Sequence, residues 1–134
     1  MAEVKFCGLT RAEDAADAVS LGAAFLGVIF AAGPRLRTPT EARALFDVAA
    51  QVGPARRVGV FGHQPAADVV EVAREAGLDV VQLHAASDPA MVSEIRRHFG
   101  GEVWRVLRLR GAVNELELRK AAEGVDALVV DALV

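Results

Sequence analysis

The sequence predicts an α/β fold of the (βα)8 barrel type, with about six βα units present. Six short apolar runs alternate with five segments that carry helix start and stop signals. The runs are rich in Val, Ile, Leu and Phe and do not alternate cleanly, as suits strands of a parallel sheet buried on both faces. Several runs end on a polar residue, and a barrel gathers all such strand ends at one mouth.

The elements follow in order. EVKFCGL (residues 3–9) is the first strand. Thr10 and Glu13 then have the spacing of a capping box, and Gly22 is a stop. AFLGVIF (24–30) is the second strand. Thr38, Pro39 and Glu41 open the next helix with proline at its first position, and Gly53 closes it. RRVGVF (56–61) precedes a third helix, whose Val69, Val72, Ala73 and Ala76 share one apolar face. Gly77 stops it. DVVQLH (79–84) leads to a fourth helix, started by Ser87 or Asp88 before Pro89 and stopped by Gly100. EVWRVLRL (102–109) precedes a start at Asn114 with Glu117 and a stop at Gly124. DALVVDAL (126–133) is the sixth strand. Strand starts recur roughly every 20 to 30 residues, about the span of a βα unit. No sequence repeat beyond this architectural one is expected.

Such a succession forms either an open doubly wound sheet or a barrel. The first βα turn, CGLT, is not a phosphate-cradling GxGxxG, which weighs against a dinucleotide-binding sheet. Cys7, Gln82, His84, Arg108 and Asp131 stand at the C-terminal ends of their strands, where barrels build active sites. Val134 follows soon after Asp131, and six strands do not close an eight-stranded barrel. The expectation is a smaller open sheet, or one (βα)-barrel domain over residues 1–134 that is incomplete at its C-terminus. Either way the first and sixth strands are sheet edges.

Composition narrows the function classes. Of 134 residues, 53% are hydrophobic and 25% charged, with a formal net charge of −3, a globular profile. The arginines are scattered, so no nucleic-acid partner is expected. No uncharged run reaches membrane-spanning length, and MAEVKF lacks the regions of a signal peptide. The single cysteine excludes an intrachain disulfide and suits a reducing compartment. The expected location is the cytoplasm, with no membrane partner.

Cys7 reads in two ways. It is a small buried hydrophobe, or it is a thiolate base or nucleophile. An ordinary thiol ionises near 8.5, so a modest cationic environment suffices for the second reading. Lys5, two residues earlier on the same side of the strand, is either that cation or a solvated end. Asp131 is a cap for the next loop, or a carboxylic acid kept protonated by burial at a strand end. Gln82 and His84 share a face, so that one orients the other or both touch substrate; a histidine there also serves structure. Arg35, in AAGPRLRTP, offers a fork-shaped cation suited to a substrate carboxylate, and Arg37 competes for that role. His63 and His98 read as loop and helix-surface residues. No His/Cys/Asp cluster has metal-ligand spacing, and no P-loop, GxSxG or CxxC occurs.

VKFCGLTRAEDA resembles the opening of phosphoribosylanthranilate isomerases, roughly K-[IF]-C-G-[IL]-T-x-x-E-D-A. The likeness continues in order through LGVIF, GPRLRTPTEAR, RVGVF, VVQLH and ALVVD. It implies a (βα)8 TIM barrel of tryptophan biosynthesis. It also implies the Amadori rearrangement of N-(5-phosphoribosyl)anthranilate to 1-(2-carboxyphenylamino)-1-deoxyribulose 5-phosphate, without cofactor or metal. Cys7 matches the general base, Asp131 the general acid, and Arg35 the arginine that holds the anthranilate carboxylate. The implied partner is a small phosphorylated substrate, in a monomer or homodimer. Two positions depart from the family: Ala85 stands where glycine is usual, and GHQ follows VGVF where asparagine is common. The phosphate-binding loops after strands six to eight are not matched. The rival readings are a non-catalytic partial barrel and a flavodoxin-like binding or redox-sensor module built on Cys7.

Overall fold

A computed structural model of the chain describes residues 2–83 and 87–132. Six strands form one sheet: β1 (Lys5–Phe6), β2 (Phe25–Ile29), β3 (Arg56–Phe61), β4 (Val80–Leu83), β5 (Glu102–Leu109) and β6 (Ala127–Ala132). Five helices alternate with them: α1 (Ala12–Ser20), α2 (Pro39–Ala50), α3 (Ala66–Ala76), α4 (Pro89–His98) and α5 (Glu115–Ala122). The order is β1-β2-β3-β4-β5-β6 and every neighbouring pair is parallel. A doubly wound sheet reverses its order at a switch point. This sheet never does, so the flavodoxin-like alternative fails and six strands of the barrel order stand.

The lack of alternation in the strands has a direct cause: both faces of the sheet are apolar. Leu26, Val28, Phe61, Val81, Leu83 and Val103 pack outward against helical Ala15, Leu45, Phe46, Val69, Ala73 and Ile95. Val58, Val80 and Trp104 pack on the inner face, with Phe25, Ala127 and Val129 beside them. At the amino-terminal end of that face, Arg56 pairs with Glu102, and the Arg56 guanidinium lies 5.5 Å from the Phe25 ring centroid. Burial on both faces holds for β2 to β5. At the edges it does not: Val4 and Phe6 beside β2, and Val130 on β6, are exposed, as are Leu116 and Leu118 on α5.

The start signals succeed where the chain is free to turn. Thr38 forms the full reciprocal capping box with Glu41 on α2. Asp88, not Ser87, caps α4 by accepting the Met91 N–H at 2.7 Å. Asn114 accepts the Glu117 N–H at 2.8 Å on α5. The expected Thr10–Glu13 box does not form: α1 starts at Ala12 with no side-chain cap, and Glu13 pairs with Arg11 at 3.2 Å. The reason is tertiary. Leu9 N–H donates to Gly27 C=O at 3.0 Å, and the Arg37 Nε donates to Thr10 C=O at 3.4 Å. These bonds hold the turn extended past the position where the cap would act. Among the stops, Gly22, Gly77 and Gly124 take positive φ, whereas Gly53 and Gly100 do not; α4 instead ends in extended Phe99.

A short repeat also emerges that sequence reading passed over. Gly77-Leu78-Asp79 and Gly124-Val125-Asp126 occupy the same place before β4 and β6. Asp79 accepts the Arg57 N–H of β3 at 2.8 Å, and Asp126 accepts the Val103 N–H of β5 at 2.8 Å. Each aspartate thus latches its strand to the preceding one. Arg96 adds a second bond to Asp126 at 2.8 Å.

Two measurements check this account. Phe61, fully buried and stacked 5.3 Å from Phe30, should cost about 3–5 kcal/mol on truncation to alanine in urea unfolding. The Glu41 carboxyl is held below its ordinary value, first by the Thr38 backbone N–H and then by its hydroxyl. A depressed folded value means stabilisation that is complete above the unfolded value and is lost as pH falls through the folded one. Glu41→Ala should therefore lower Tm more at pH 6 than at pH 3.

Candidate active site

Cys7 lies one residue beyond β1 and is exposed, so the packing role fails for it. Its side chain and that of Lys5 share the inner face, and both lie over Gly27 of β2. A Cβ on Gly27 would stand 3.2 Å from the Cys7 Sγ and 3.4 Å from the Lys5 Cε. That missing side chain is what makes room for the pair. Lys5 is not a solvated end. Its Nζ donates to the Gln82 Oε1 of β4 at 2.6 Å and sits 6.0 Å from the Trp104 ring centroid. Gln82 is buried, with its acceptor committed to this bond. Beneath them Phe25 meets Trp104 edge to face at 5.1 Å. The buried Trp104 Nε1 has no hydrogen-bond partner among the described residues.

The turn after Cys7 is shaped by Gly8 at φ 76°, a left-handed conformation that disfavours other residues. It also serves a close approach. The Arg35 guanidinium packs so tightly on Gly8 that a Cβ there would lie 2.9 Å from its Cζ. Arg35 therefore reaches from the loop after β2 back to the end of β1, beside Cys7. It is exposed and has no hydrogen bond or ion pair among the described residues. Arg37 is committed instead: it donates to Leu36 C=O at 2.8 Å as well as to Thr10 C=O. Of the two rivals, Arg35 alone makes no hydrogen bond or ion pair among the described residues.

Asp131 aligns with Arg108 across β5 and β6. It falls two residues beyond inward-facing Val129, so it shares the inner face at the carboxyl end. Of its two readings, the buried acid is not the one seen among the described residues, where Asp131 is exposed on β6, paired with β5. Arg108 is exposed too. His84 lies outside the described residues. His63 and His98 are exposed, as expected, with His98 3.5 Å from Glu94.

Sequence reading missed the Lys5–Gln82 link, which joins residues 77 apart. It also missed Arg105. This buried cation on the outer face donates to Ser87 Oγ at 3.1 Å and to the Ala121 and Glu123 carbonyls at 2.5 and 3.2 Å. It neutralises the negative end of α5. The signal available was a charged residue two after Val103 in an apolar strand. Among the described residues, no group of three or more His, Cys, Asp or Glu could hold a metal ion, and no helix is long and apolar enough to cross a membrane.

Six parallel strands in sequential order, with ionisable side chains at their carboxyl ends, define a protein of the (βα)-barrel class. The profile of the N-(5'-phosphoribosyl)anthranilate (PRA) isomerase family matches residues 4–134, and the chain belongs to that family. The N-(5'-phosphoribosyl)anthranilate isomerase of Granulibacter bethesdensis is 37% identical over 98% of this chain and 61% of its own length. That of Bacillus velezensis is 33% identical over 98% of this chain and 59% of its own. The chain thus spans about three-fifths of these curated relatives. The crystal structure of phosphoribosyl anthranilate isomerase from Thermus thermophilus superposes with a TM-score of 0.85 at 36% identity, over 98% of this chain and 62% of that one. Another phosphoribosyl anthranilate isomerase, in complex with reduced 1-(O-carboxyphenylamino)-1-deoxyribulose 5-phosphate, superposes at 0.81 with 27% identity, over 99% and 66%.

The Gly8 turn offers a test of the site's construction. Gly8→Ala forces a left-handed residue and pushes the Arg35 guanidinium aside, and should cost about 1–2 kcal/mol in urea unfolding. The same variant should make Arg35 more accessible to phenylglyoxal.

Proposed function

We propose that this chain supplies the acid–base residues of a PRA isomerase, which rearranges N-(5'-phosphoribosyl)anthranilate to 1-(2-carboxyphenylamino)-1-deoxyribulose 5-phosphate. The observation that carries the reading is the exposed Cys7 at a strand's carboxyl end, with the uncommitted Arg35 folded beside it. The family match and the ligand named in the relative's crystal structure support it.

The chemistry needs one proton given and one taken. Asp131 protonates the furanose ring oxygen, the ring C–O bond breaks, and the anilino nitrogen lone pair forms an iminium. The Cys7 thiolate then removes the proton from the adjacent sugar carbon, and the C–H electrons form the enamine. Tautomerisation of the enol yields the ketose. Atoms and electrons balance with no external oxidant. Arg35 binds the anthranilate carboxylate through paired N–H donors, and His84 remains the proposed polar contact at the end of β4. Gln82 acts through Lys5, whose ammonium donates to its Oε1, and its amide N–H donors remain for substrate. The same reading makes the protein a cytoplasmic enzyme acting on a small phosphorylated substrate, as a monomer or homodimer. A relative from Thermotoga maritima is described as dimeric.

Turnover and binding measurements on three variants test the assignment. Cys7→Ser keeps the shape but removes the titratable base, so kcat should fall by about 10²–10⁴ while substrate affinity holds. Asp131→Asn should slow turnover by a similar order. Arg35→Ala should raise KM strongly, since it removes binding common to ground and transition states. Near-normal turnover in Cys7→Ser would return the thiol to a bystander. A Cys7→Ser defect confined to oxidant response, with Asp131→Asn silent, would favour a redox sensor.

A further inference from the structure

We infer that Lys5 is the fixed counter-charge of the Cys7 thiolate, a positioning residue held in place by Gln82. This rests on the reading of Cys7 as the base and adds the group that prepares it. Lys5 is a half-buried ammonium on the inner face of the sheet, yet it makes no ion pair with a carboxylate among the described residues. Its interactions are a 2.6 Å bond to a neutral amide and the face of Trp104. An ammonium drawn from water without an anionic partner is costly. An anion placed on the same face relieves that cost, and Cys7 stands there. The stem of Lys5 and the thiol rest over the same glycine, Gly27, which puts no side chain of its own under them.

The identity of residue 82 carries the argument further. A carboxylate on β4 at that place would hold the ammonium equally well and would neutralise it. The Gln82 amide fixes the ammonium and leaves its charge unspent. Holding the cation without discharging it is what a thiolate counter-ion requires. Among the described residues, the other charged or titratable groups at this end of the sheet include Arg35 over Gly8, Arg108 on β5, Asp131 on β6, and His63 and Arg110 just past the ends of β3 and β5. Arg35 is exposed, and in the proposed reaction its charge is taken by the substrate carboxylate. Lys5 keeps its charge throughout the cycle.

The thiol is the only cysteine in the chain, so alkylation by iodoacetamide reads Cys7 alone and needs no substrate. At pH 7 and low ionic strength, Lys5→Met should slow alkylation by about three- to tenfold and move the rate–pH profile to higher pH. Lys5→Arg should restore the rate to within about twofold, because the charge returns. Gln82→Glu should also slow alkylation, although it keeps or strengthens the contact with Lys5; a purely structural Lys5 predicts no change there. Arg35→Gln should have the smaller effect of the two cation removals. A Lys5→Met profile that superposes on the wild type overturns the inference. If circular dichroism shows that Lys5→Met does not fold, Gln82→Glu decides, and an unchanged profile overturns it. A flat alkylation result with a large kcat loss in Cys7→Ser sinks this inference alone. Normal turnover in Cys7→Ser sinks the base assignment while leaving the charge effect measurable.

Discussion

Burial of the sheet on both faces is the constraint on which the rest depends. Leu26, Val28 and Phe61 need helices outside, while Val58, Val80 and Trp104 need one another inside. Only parallel strands with a helix between each pair satisfy both at once. The helices cover the outer face, and the inner face has only its own side chains to fill it. Those side chains then sort by height along the strands. Arg56 and Glu102 pair at the amino-terminal end, and the aromatic and aliphatic residues fill the middle. The carboxyl end is left to polar groups.

That sorting explains why the polar side chains collect where they do. At the carboxyl end each strand turns into a loop and can present a side chain to solvent without disturbing the apolar layers below. Cys7, Arg35 and Asp131 occupy such positions, on or beside strand ends. Lys5 and Gln82 sit one layer deeper, between the apolar middle and the mouth. A polar link at that depth calls for pairing of its groups, and the Lys5–Gln82 bond ties β1 to β4 across the inner face. Two glycines make the arrangement possible, one by leaving space under the thiol and one by letting Arg35 cross the chain.

The latches before the even strands have a related logic. Asp79 and Asp126 each take a backbone N–H from the preceding strand, at the end of the sheet opposite the site. Strand pairing is secured there by side chains, so the site end is free of that duty. Arg105 acts on the outside in the same spirit, binding the last carbonyls of α5 and so fixing that helix against β5. Membership of the PRA isomerase family is consistent with this separation of stability from chemistry across the two ends of the strands.

What the sequence determined by itself was whatever depends on near neighbours. The bounds of β3 and β5, the caps at Thr38 and Asn114, and the αL turns at Gly77 and Gly124 follow from local pattern and backbone sterics. The strand-end placement of Cys7 and Asp131 followed from the same patterns. Tertiary structure decided the rest. The Thr10 cap failed because bonds from Leu9 and Arg37 held its turn extended. Asp131 stands opposite Arg108 across β5 and β6, a register that no pattern around ALVVD encodes. Arg35 and Arg37 are alike in sequence, and only the fold gives one a partner and leaves the other uncommitted. Lys5 and Gln82 meet across the inner face from strands three places apart. A contact of that kind is set by the curvature and register of the whole sheet, so it is invisible until the chain has folded.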